Sequence, residues 1–106
     1  MSLSACADVY RSRYEYDGWI VPVGNIVATP GALEAFERNN QLPIKFLARH
    51  LLGDFGDLGE DDVRANHYAI LNDLRVLSAY TLQDGTKIWI ITEGSREYTT
   101  ILLPSE

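Results

Sequence analysis

The C-terminal third of the chain constrains the fold most, because it contains three short runs of residues that favour β-strands. Residues 75–82, 86–93 and 97–103 are rich in β-branched and aromatic side chains. Asp84-Gly85 separates the first two runs, and this dipeptide is typical of a two-residue hairpin turn. Gly94-Ser95-Arg96 separates the second run from the third. The spacing predicts an antiparallel meander over residues 75–103.

Three helices are predicted upstream of this meander. Thr29-Pro30 favours a helix start, since the Thr side chain can cap free N–H groups and Pro lacks the N–H that would stay unpaired. A second helix is expected over residues 42–52, with Gly53 as its left-handed C-cap. A third helix is expected to begin near Glu60, because Asp57 and Glu60 resemble a capping box.

These elements predict an α+β fold. We expect an antiparallel sheet of three to four strands, formed by the meander 75–103 and by Ile26-Val27-Ala28, and packed by two to three helices. The 106 residues favour a single domain, since a chain of this length buries about two thirds of its surface on folding. Residues 1–18 show no clear periodicity and are predicted to form an irregular N-terminal arm.

The composition excludes several classes of function. Lys plus Arg is 9 and Asp plus Glu is 15, so the net charge is −6. Nucleic acid is therefore an unexpected partner, because its binding requires a basic stripe. The chain has no run of 18 or more apolar residues, and we expect no membrane partner. The single cysteine, Cys6, excludes an internal disulfide, and a cytoplasmic location is expected because no charged-then-apolar leader is present.

Acidic charge is concentrated in residues 54–62. The five acids of this loop are Asp54, Asp57, Glu60, Asp61 and Asp62. They are open to three interpretations: stabilisation of a helix N-terminus, an acidic surface for a partner, and a divalent-metal site with Asp54, Asp57 and Asp61 as ligands. The third interpretation would make the protein a small divalent-metal-dependent hydrolase with a histidine as base. The spacing does not match an EF-hand.

The chain carries no recognisable catalytic motif. His50 lies at a helix end, where the helix dipole explains it, and His67 falls on the apolar stripe of its helix. The sequence contains no HExxH, no Cys/His zinc spacing, no GxSxG and no phosphate-binding loop ending in Gly-Lys. The catalytic residues therefore stay unknown, no cofactor is predicted, and a binding role is favoured over an enzymatic one.

The predicted hairpin also predicts which side chains share a face of the sheet. A two-residue loop pairs Tyr80 with Trp89 and places both on one face with Ile91. That face is too apolar to lie open to water, so we expect the N-terminal arm, another helix or a second chain to cover it. Its aromatic residues would form a minor core, a protein interface or a ligand groove.

The interface interpretation defines a set of candidate partner-binding residues. They are Trp89, Tyr80 and Ile91 on the sheet, with Asp54 and Asp57 in the acidic loop. Tyr and Trp are enriched where proteins meet. The expected partner is another protein or a second copy of this chain, which would make a homodimer.

Four stretches of the chain follow a recognisable family pattern. They are Ala28-Thr29-Pro30-Gly31-Ala32-Leu33, then Leu52-Gly53-Asp54-Phe55-Gly56-Asp57-Leu58, then Leu77-Ser78-Ala79-Tyr80 leading to residues 84–93, and Thr99-Thr100-Ile101-Leu102-Leu103-Pro104. Together they span about 80 of the 106 residues. In these stretches the chain resembles the plasmid-related proteins, short proteins encoded on plasmids and integrative elements. The resemblance implies an interaction or regulatory role in a mobile genetic element, and it brings no catalytic residues to transfer.

Overall fold

The computed structural model describes residues 21–106, and the predicted N-terminal arm and Cys6 lie outside this range. The described residues form four strands and three helices. In chain order they are β1 (Asn25–Ala28), α1 (Pro30–Arg38), α2 (Pro43–Leu51), α3 (Glu60–Leu71), β2 (Val76–Thr81), β3 (Lys87–Thr92) and β4 (Tyr98–Leu102). The α+β class is therefore confirmed.

The four strands form one mixed sheet in the order β1-β4-β3-β2. β2 pairs antiparallel with β3, and β3 pairs antiparallel with β4, so the predicted meander is confirmed. β1 instead runs parallel to β4, with Ile26 beside Thr99. The prediction of a wholly antiparallel sheet is wrong for this strand. A parallel pair needs a long crossover connection, which the three helices and two further strands between β1 and β4 supply.

The turn between β2 and β3 is one residue longer than predicted. The Leu82 N–H donates to the Thr86 carbonyl at 2.8 Å, and the Gly85 N–H donates to the Leu82 carbonyl at 2.9 Å. Residues 83–85 therefore form a three-residue loop, in which Gly85 takes a φ of +91°. A type I turn followed by a left-handed residue has this geometry, whereas a type I′ turn would have needed only two loop residues.

The longer loop changes the register of the hairpin. Ala79 pairs with Trp89, and Tyr80 pairs with Ile88. The predicted pairing of Tyr80 with Trp89 is therefore wrong by one residue. Side chains alternate along a strand, so a slip of one residue moves every β2 side chain to the face opposite the one predicted.

The helix boundaries agree with the local capping signals at two of the three helices. Thr29 caps α1, and its hydroxyl accepts a hydrogen bond from the Ala32 N–H at 3.2 Å. α2 ends at Leu51, and Gly53 follows with a φ of +87°. α3 begins at Glu60, as predicted, but Gly59 precedes it, and no side chain of residues 21–106 caps it. The predicted capping by Asp57 is wrong.

The helices cover one face of the sheet, here called the inner face. α1 and α2 pack on it through the first buried cluster: Ala32, Ala35, Phe36, Phe46, Tyr80, Leu82, Ile88, Ile90 and Ile101. A second cluster joins α3 to the sheet: Val21, Phe55, Ala69, Ile70 and Val76. Burial of this apolar surface is the main stabilising contribution to the fold.

The free edge of β2 is covered by the loop after α2 and by α3. The Ala79 N–H donates to the Phe55 carbonyl at 3.1 Å, and the Asp57 N–H donates to the Ala79 carbonyl at 2.7 Å. The Asn66 amide binds both backbone groups of Leu77, at 2.7 and 3.1 Å. These contacts occupy backbone groups that would otherwise be free to pair with another strand.

The described helices are short compared with the thickness of a bilayer. A membrane-spanning helix requires about 20 predominantly apolar residues. α3 is the longest described helix, with 12 residues. Within residues 21–106, no helix combines the length and apolar character required to cross a membrane.

Candidate functional site

The face of the sheet opposite the helices is the main candidate for a functional surface, and it is here called the outer face. The strand register arranges its central residues in two rows: Val27, Thr100, Ile91 and Leu77 in the first, and Leu102, Trp89 and Ala79 in the second. All of these side chains except Thr100 are apolar. Neither buried cluster of residues 21–106 includes any of them.

Trp89 and Ile91 lie at the centre of the outer face, on β3. Both side chains are partly exposed, whereas Ile88 and Ile90, which alternate with them, are fully buried against the helices. This alternation assigns Trp89 and Ile91 to the side of β3 that faces away from α1 and α2. Both therefore remain candidate partner-binding residues.

Tyr80 does not belong to the outer face. Its side chain is 1% exposed, and its ring meets that of Phe46 edge-on at a centroid distance of 5.3 Å. Its hydroxyl donates to the Asp54 backbone carbonyl at 2.7 Å. Burial raises the pKa of the Tyr80 hydroxyl to about 12. The prediction that Tyr80 shares a surface with Trp89 is therefore wrong, because the register places Tyr80 in the core.

Residues of opposite charge lie at the two ends of the outer face. Lys87 begins β3, and Glu93 follows its last residue, so β3 presents Lys87, Trp89, Ile91 and Glu93 at alternate positions. The Lys87 ammonium donates to the Thr81 hydroxyl at 2.9 Å. The Glu93 carboxylate lies 3.5 Å from the Arg75 guanidinium. A cation therefore lies at one end of the outer face, and a carboxylate that is paired with Arg75 lies at the other.

The carboxylate of Asp54 is bound both by α2 and by its own loop. Its carboxylate accepts a hydrogen bond from Arg49 Nε at 2.8 Å and another from the Gly56 N–H at 3.1 Å. The hydrogen bond from Arg49 holds the pKa of the Asp54 carboxyl below its ordinary value. The carboxylate remains about half exposed, and Asp54 remains a candidate contact for a partner.

The other two proposed metal ligands point to different partners. Asp57 accepts a hydrogen bond from the Thr81 hydroxyl at 2.7 Å, and Asp61 pairs with Arg64 within α3. Among residues 21–106, no group of three or more His, Cys, Asp or Glu side chains is arranged to hold a metal ion. The predicted metal site at Asp54, Asp57 and Asp61 therefore has no ligand set in the described part of the chain. Asp57 remains exposed and stays a candidate partner contact.

His50 takes part in a buried polar chain that the sequence did not reveal. Its Nδ1 lies 2.6 Å from Ser78 Oγ, and its Nε2 lies 2.8 Å from Thr92 Oγ1. Thr92 Oγ1 lies in turn 2.7 Å from Thr99 Oγ1. Burial lowers the pKa of the His50 imidazole to about 4. These four side chains are fully buried, so this Ser–His pair is closed to a substrate in the described structure.

One feature of the sequence could have predicted this buried polar chain. Ser78, Thr92 and Thr99 are the polar residues at inner-face positions of three adjacent strands. Hydroxyl groups on an apolar face require hydrogen-bond partners. His50, at the end of the helix that packs over them, is the side chain that supplies two of these bonds.

Comparisons of the chain with protein-family models, curated proteins and solved structures found no match. The resemblance to plasmid-related proteins therefore stays a prediction from the sequence. The candidate surface is accordingly defined by register, burial and charge among residues 21–106.

Proposed function

We propose that this chain is a protein-interaction module and that a second copy of the chain binds to its outer face. The observation that supports this function is the set of apolar outer-face residues around Trp89 and Ile91, which belong to neither buried cluster of residues 21–106. A sheet with one face in water normally carries polar side chains on that face. Aromatic residues are enriched at the centre of protein interfaces.

The charge pattern favours a second copy over an unrelated partner. A two-fold interface joins the same patch on both subunits, so the patch must be complementary to itself. When β3 packs antiparallel across β3 of the second copy, Lys87 of each copy faces Glu93 of the other. Trp89 of each copy then faces Ile91 of the other. The alternate positions Lys87, Trp89, Ile91 and Glu93 have this symmetry.

The size of the outer face indicates the strength of the contact. Four strands about 4.8 Å apart, the longest with six residues at about 3.3 Å each, give a footprint of at most roughly 20 by 20 Å. This is roughly 400 Å² per copy, against about 800 Å² per partner for an interface of standard size. We therefore expect a dimer that forms reversibly at micromolar or higher concentrations.

The setting of this interaction is inferred from the sequence. The resemblance to plasmid-related proteins supports a regulatory role in a mobile genetic element. The net charge of −6 and the single cysteine agree with a cytoplasmic protein that does not bind nucleic acid. We infer that the module acts through protein contact and that dimer formation controls which surface is available.

The test is the mass of the full chain, measured by sedimentation over a range of concentrations. Lys87→Glu and Glu93→Lys should each weaken the dimer by tenfold or more, because the two-fold axis repeats each repulsion. The double variant Lys87→Glu with Glu93→Lys should regain most of the lost affinity. Lys45→Glu, the same charge change at the other lysine of the sequence, is the matched control.

Two outcomes would overturn the proposal. One is a double variant that associates no better than either single variant. The other is a wild-type chain that stays monomeric at every concentration while Trp89→Ala lowers its melting temperature. That second result would mean that the outer face is covered within a single chain. Loss of association in a folded Trp89→Ala variant would instead support the interface.

A further inference from the structure

A cavity of about 430 Å³ lies where the loop between α1 and α2 meets the tip of the β2–β3 hairpin, and it is here called the α2 cavity. Its walls include Gln41, Leu42, Lys45, Phe46, Arg49 and Gln83. Sites for small molecules typically measure about 300–1,000 Å³ and combine apolar walls with a few polar groups. None of these residues belongs to the outer face, so the two surfaces are separate.

Hydrogen bonds between its two walls hold the cavity in shape. The Gln41 side-chain carbonyl accepts from the Gln83 N–H at 2.9 Å, and the Asn39 side-chain carbonyl accepts from the Asp84 N–H at 2.8 Å. Arg38 Nε also lies 3.2 Å from the Asp84 carboxylate. These contacts fix the hairpin tip against the end of α1. The cavity is therefore preformed, which lowers the entropic cost of binding.

Arg49 is the cation of the cavity whose side chain is held in place by its neighbours. Its guanidinium lies 4.7 Å from the centroid of the Tyr80 ring, and its Nε donates to Asp54 at 2.8 Å. The ring and the carboxylate together fix the plane of the guanidinium. Arg49 Nη1 takes part in none of the hydrogen bonds of residues 21–106, so it can donate to a ligand.

Lys45 is the second cation, one helical turn before Arg49 on α2. Within the described part of the chain, its ammonium has neither an ion pair nor a hydrogen bond. Asp54 offsets the charge of Arg49, but no carboxylate of residues 21–106 pairs with Lys45. The cavity therefore retains positive charge in a chain whose net charge is −6.

We propose that the α2 cavity binds a small organic anion that joins an oxyanion to a flat apolar group. The carboxylate or phosphate lies between Lys45 and Arg49, where two cationic donors meet it. The Gln41 amide nitrogen supplies a further donor, since its oxygen is already used by Gln83. The apolar group packs against Leu42 and the edge of Phe46.

The test follows backbone amide signals of the ¹⁵N-labelled full chain by NMR, in a buffer without phosphate. Benzoate and phenyl phosphate are the anionic probes, and benzamide is the uncharged probe of similar shape. We expect saturable shifts confined to residues 40–49 and 83, with a dissociation constant of about 1 mM for ligands this small. Benzamide should bind about tenfold more weakly. The tighter of the two anionic probes identifies the preferred oxyanion.

Variants separate the cavity from general attraction of anions. Lys45→Gln should weaken benzoate and phenyl phosphate binding about tenfold and leave benzamide unchanged. Arg64→Gln, at an exposed cation on α3, is the matched control and should leave all three probes unchanged. Three results would each overturn the proposal. They are amide shifts near several Lys or Arg residues outside the cavity, benzamide binding as tight as that of the anions, and anion binding that is not weakened in Lys45→Gln.

Discussion

The hydroxyl of Thr99 fixes which ring nitrogen of His50 carries the proton. The Thr99 hydroxyl donates to the Val23 carbonyl at 2.8 Å, so its oxygen accepts from the Thr92 hydroxyl at 2.7 Å. Thr92 has then used its proton and accepts from His50 Nε2–H at 2.8 Å. His50 Nδ1 is left as the acceptor for the Ser78 hydroxyl at 2.6 Å. The neutral Nε2–H form of the imidazole satisfies every member of this chain.

Adding a proton to His50 breaks this arrangement. Nδ1 would become a donor, and the Ser78 hydroxyl would have to turn away from it. The positive charge would also be buried, since His50 is 0% exposed, and its hydrogen-bond partners among residues 21–106 are hydroxyl groups and not carboxylates. Both effects favour the neutral ring, which agrees with a pKa lowered by burial to about 4.

Stability should therefore fall as the pH is lowered from about 6.5 to about 4. The pKa of His50 is about 4 in the folded chain and 6.5 in the unfolded reference, so the unfolded chain binds more protons in this window. The free energy of unfolding should rise with pH there by up to about 1.4 kcal/mol per unit, or roughly 3 kcal/mol in all. Urea denaturation at several pH values measures this slope.

His50→Gln separates this effect from the titration of carboxyl groups. Its slope should be smaller than that of the wild type, whereas His67→Gln, the matched control, should retain the His50 contribution. NMR shifts of the imidazole should show a neutral Nε2–H ring at pH 5.5. An imidazole of His50 that titrates near pH 6.5 in the folded chain would contradict this account.

Loss of single hydroxyls from the buried chain should destabilise the fold. Ser78→Ala leaves His50 Nδ1 without a donor and should cost about 1–3 kcal/mol. Thr92→Val should cost more, because it removes the partners of both His50 and Thr99. Thr100→Val, on the partly exposed outer face, should change the free energy of unfolding by less than about 0.5 kcal/mol. Equal losses in Thr92→Val and Thr100→Val would show that the hydrogen bonds carry no net stability.

The hairpin shows how far local sequence signals could predict the sheet. Asp84-Gly85 gave the position of the turn, but its loop length depends on whether the Gly follows a type I turn. The sequence of β2 does not specify the register, because both faces of the strand are apolar. Val76 and Tyr80 lie on one face, and Leu77 and Ala79 lie on the other. The face on which Trp89 lies follows from alternation along β3 and does not depend on the hairpin register, whereas the predicted face of Tyr80 depended on it.

The caps of α1 and α2 could be predicted from the sequence, whereas the buried polar chain around His50 could not. Thr29 and Gly53 act within one turn of their own helices, so their roles could be predicted from adjacent residues. His50 binds Ser78 and Thr92, which are 28 and 42 residues away in the sequence. Contacts over such distances depend on how the helices and strands pack, which local spacing does not specify.

Divalent cations should leave the melting temperature almost unchanged. Asp54, Asp57 and Asp61 each bind a different partner, so a metal would have to displace existing contacts to gather them. A native-state site at 100 times its dissociation constant would add about 2.7 kcal/mol, or roughly 10 °C or more. We expect less than about 1 °C from millimolar Mg²⁺, Mn²⁺ or Ca²⁺ in a thermal-shift measurement. A saturable rise abolished by Asp57→Asn would contradict this prediction.

Substitutions at two glycines of the acidic loop should change the free energy of unfolding in opposite directions. Gly56 has a φ of +77°, and a Cβ there would lie 2.0 Å from the Ala79 carbonyl oxygen and 2.6 Å from the Tyr80 ring. Gly56→Ala should therefore cost about 3 kcal/mol or more, from backbone strain and from steric overlap. The substitution would also disturb the contacts that protect the free edge of β2, since Gly56 forms a β-bridge with Ala79.

Gly59 differs in both backbone and surroundings. Its φ is −78°, and it precedes α3. In the described part of the chain, no atom lies within 4 Å of an added Cβ at Gly59 and no side chain caps α3. Gly59→Ser should stabilise the fold by about 0.5 kcal/mol, because the hydroxyl caps α3 and the unfolded chain loses freedom. Urea denaturation of both variants checks the prediction. A Gly56→Ala variant as stable as the wild type would mean that the loop does not approach β2 as closely as the structure shows.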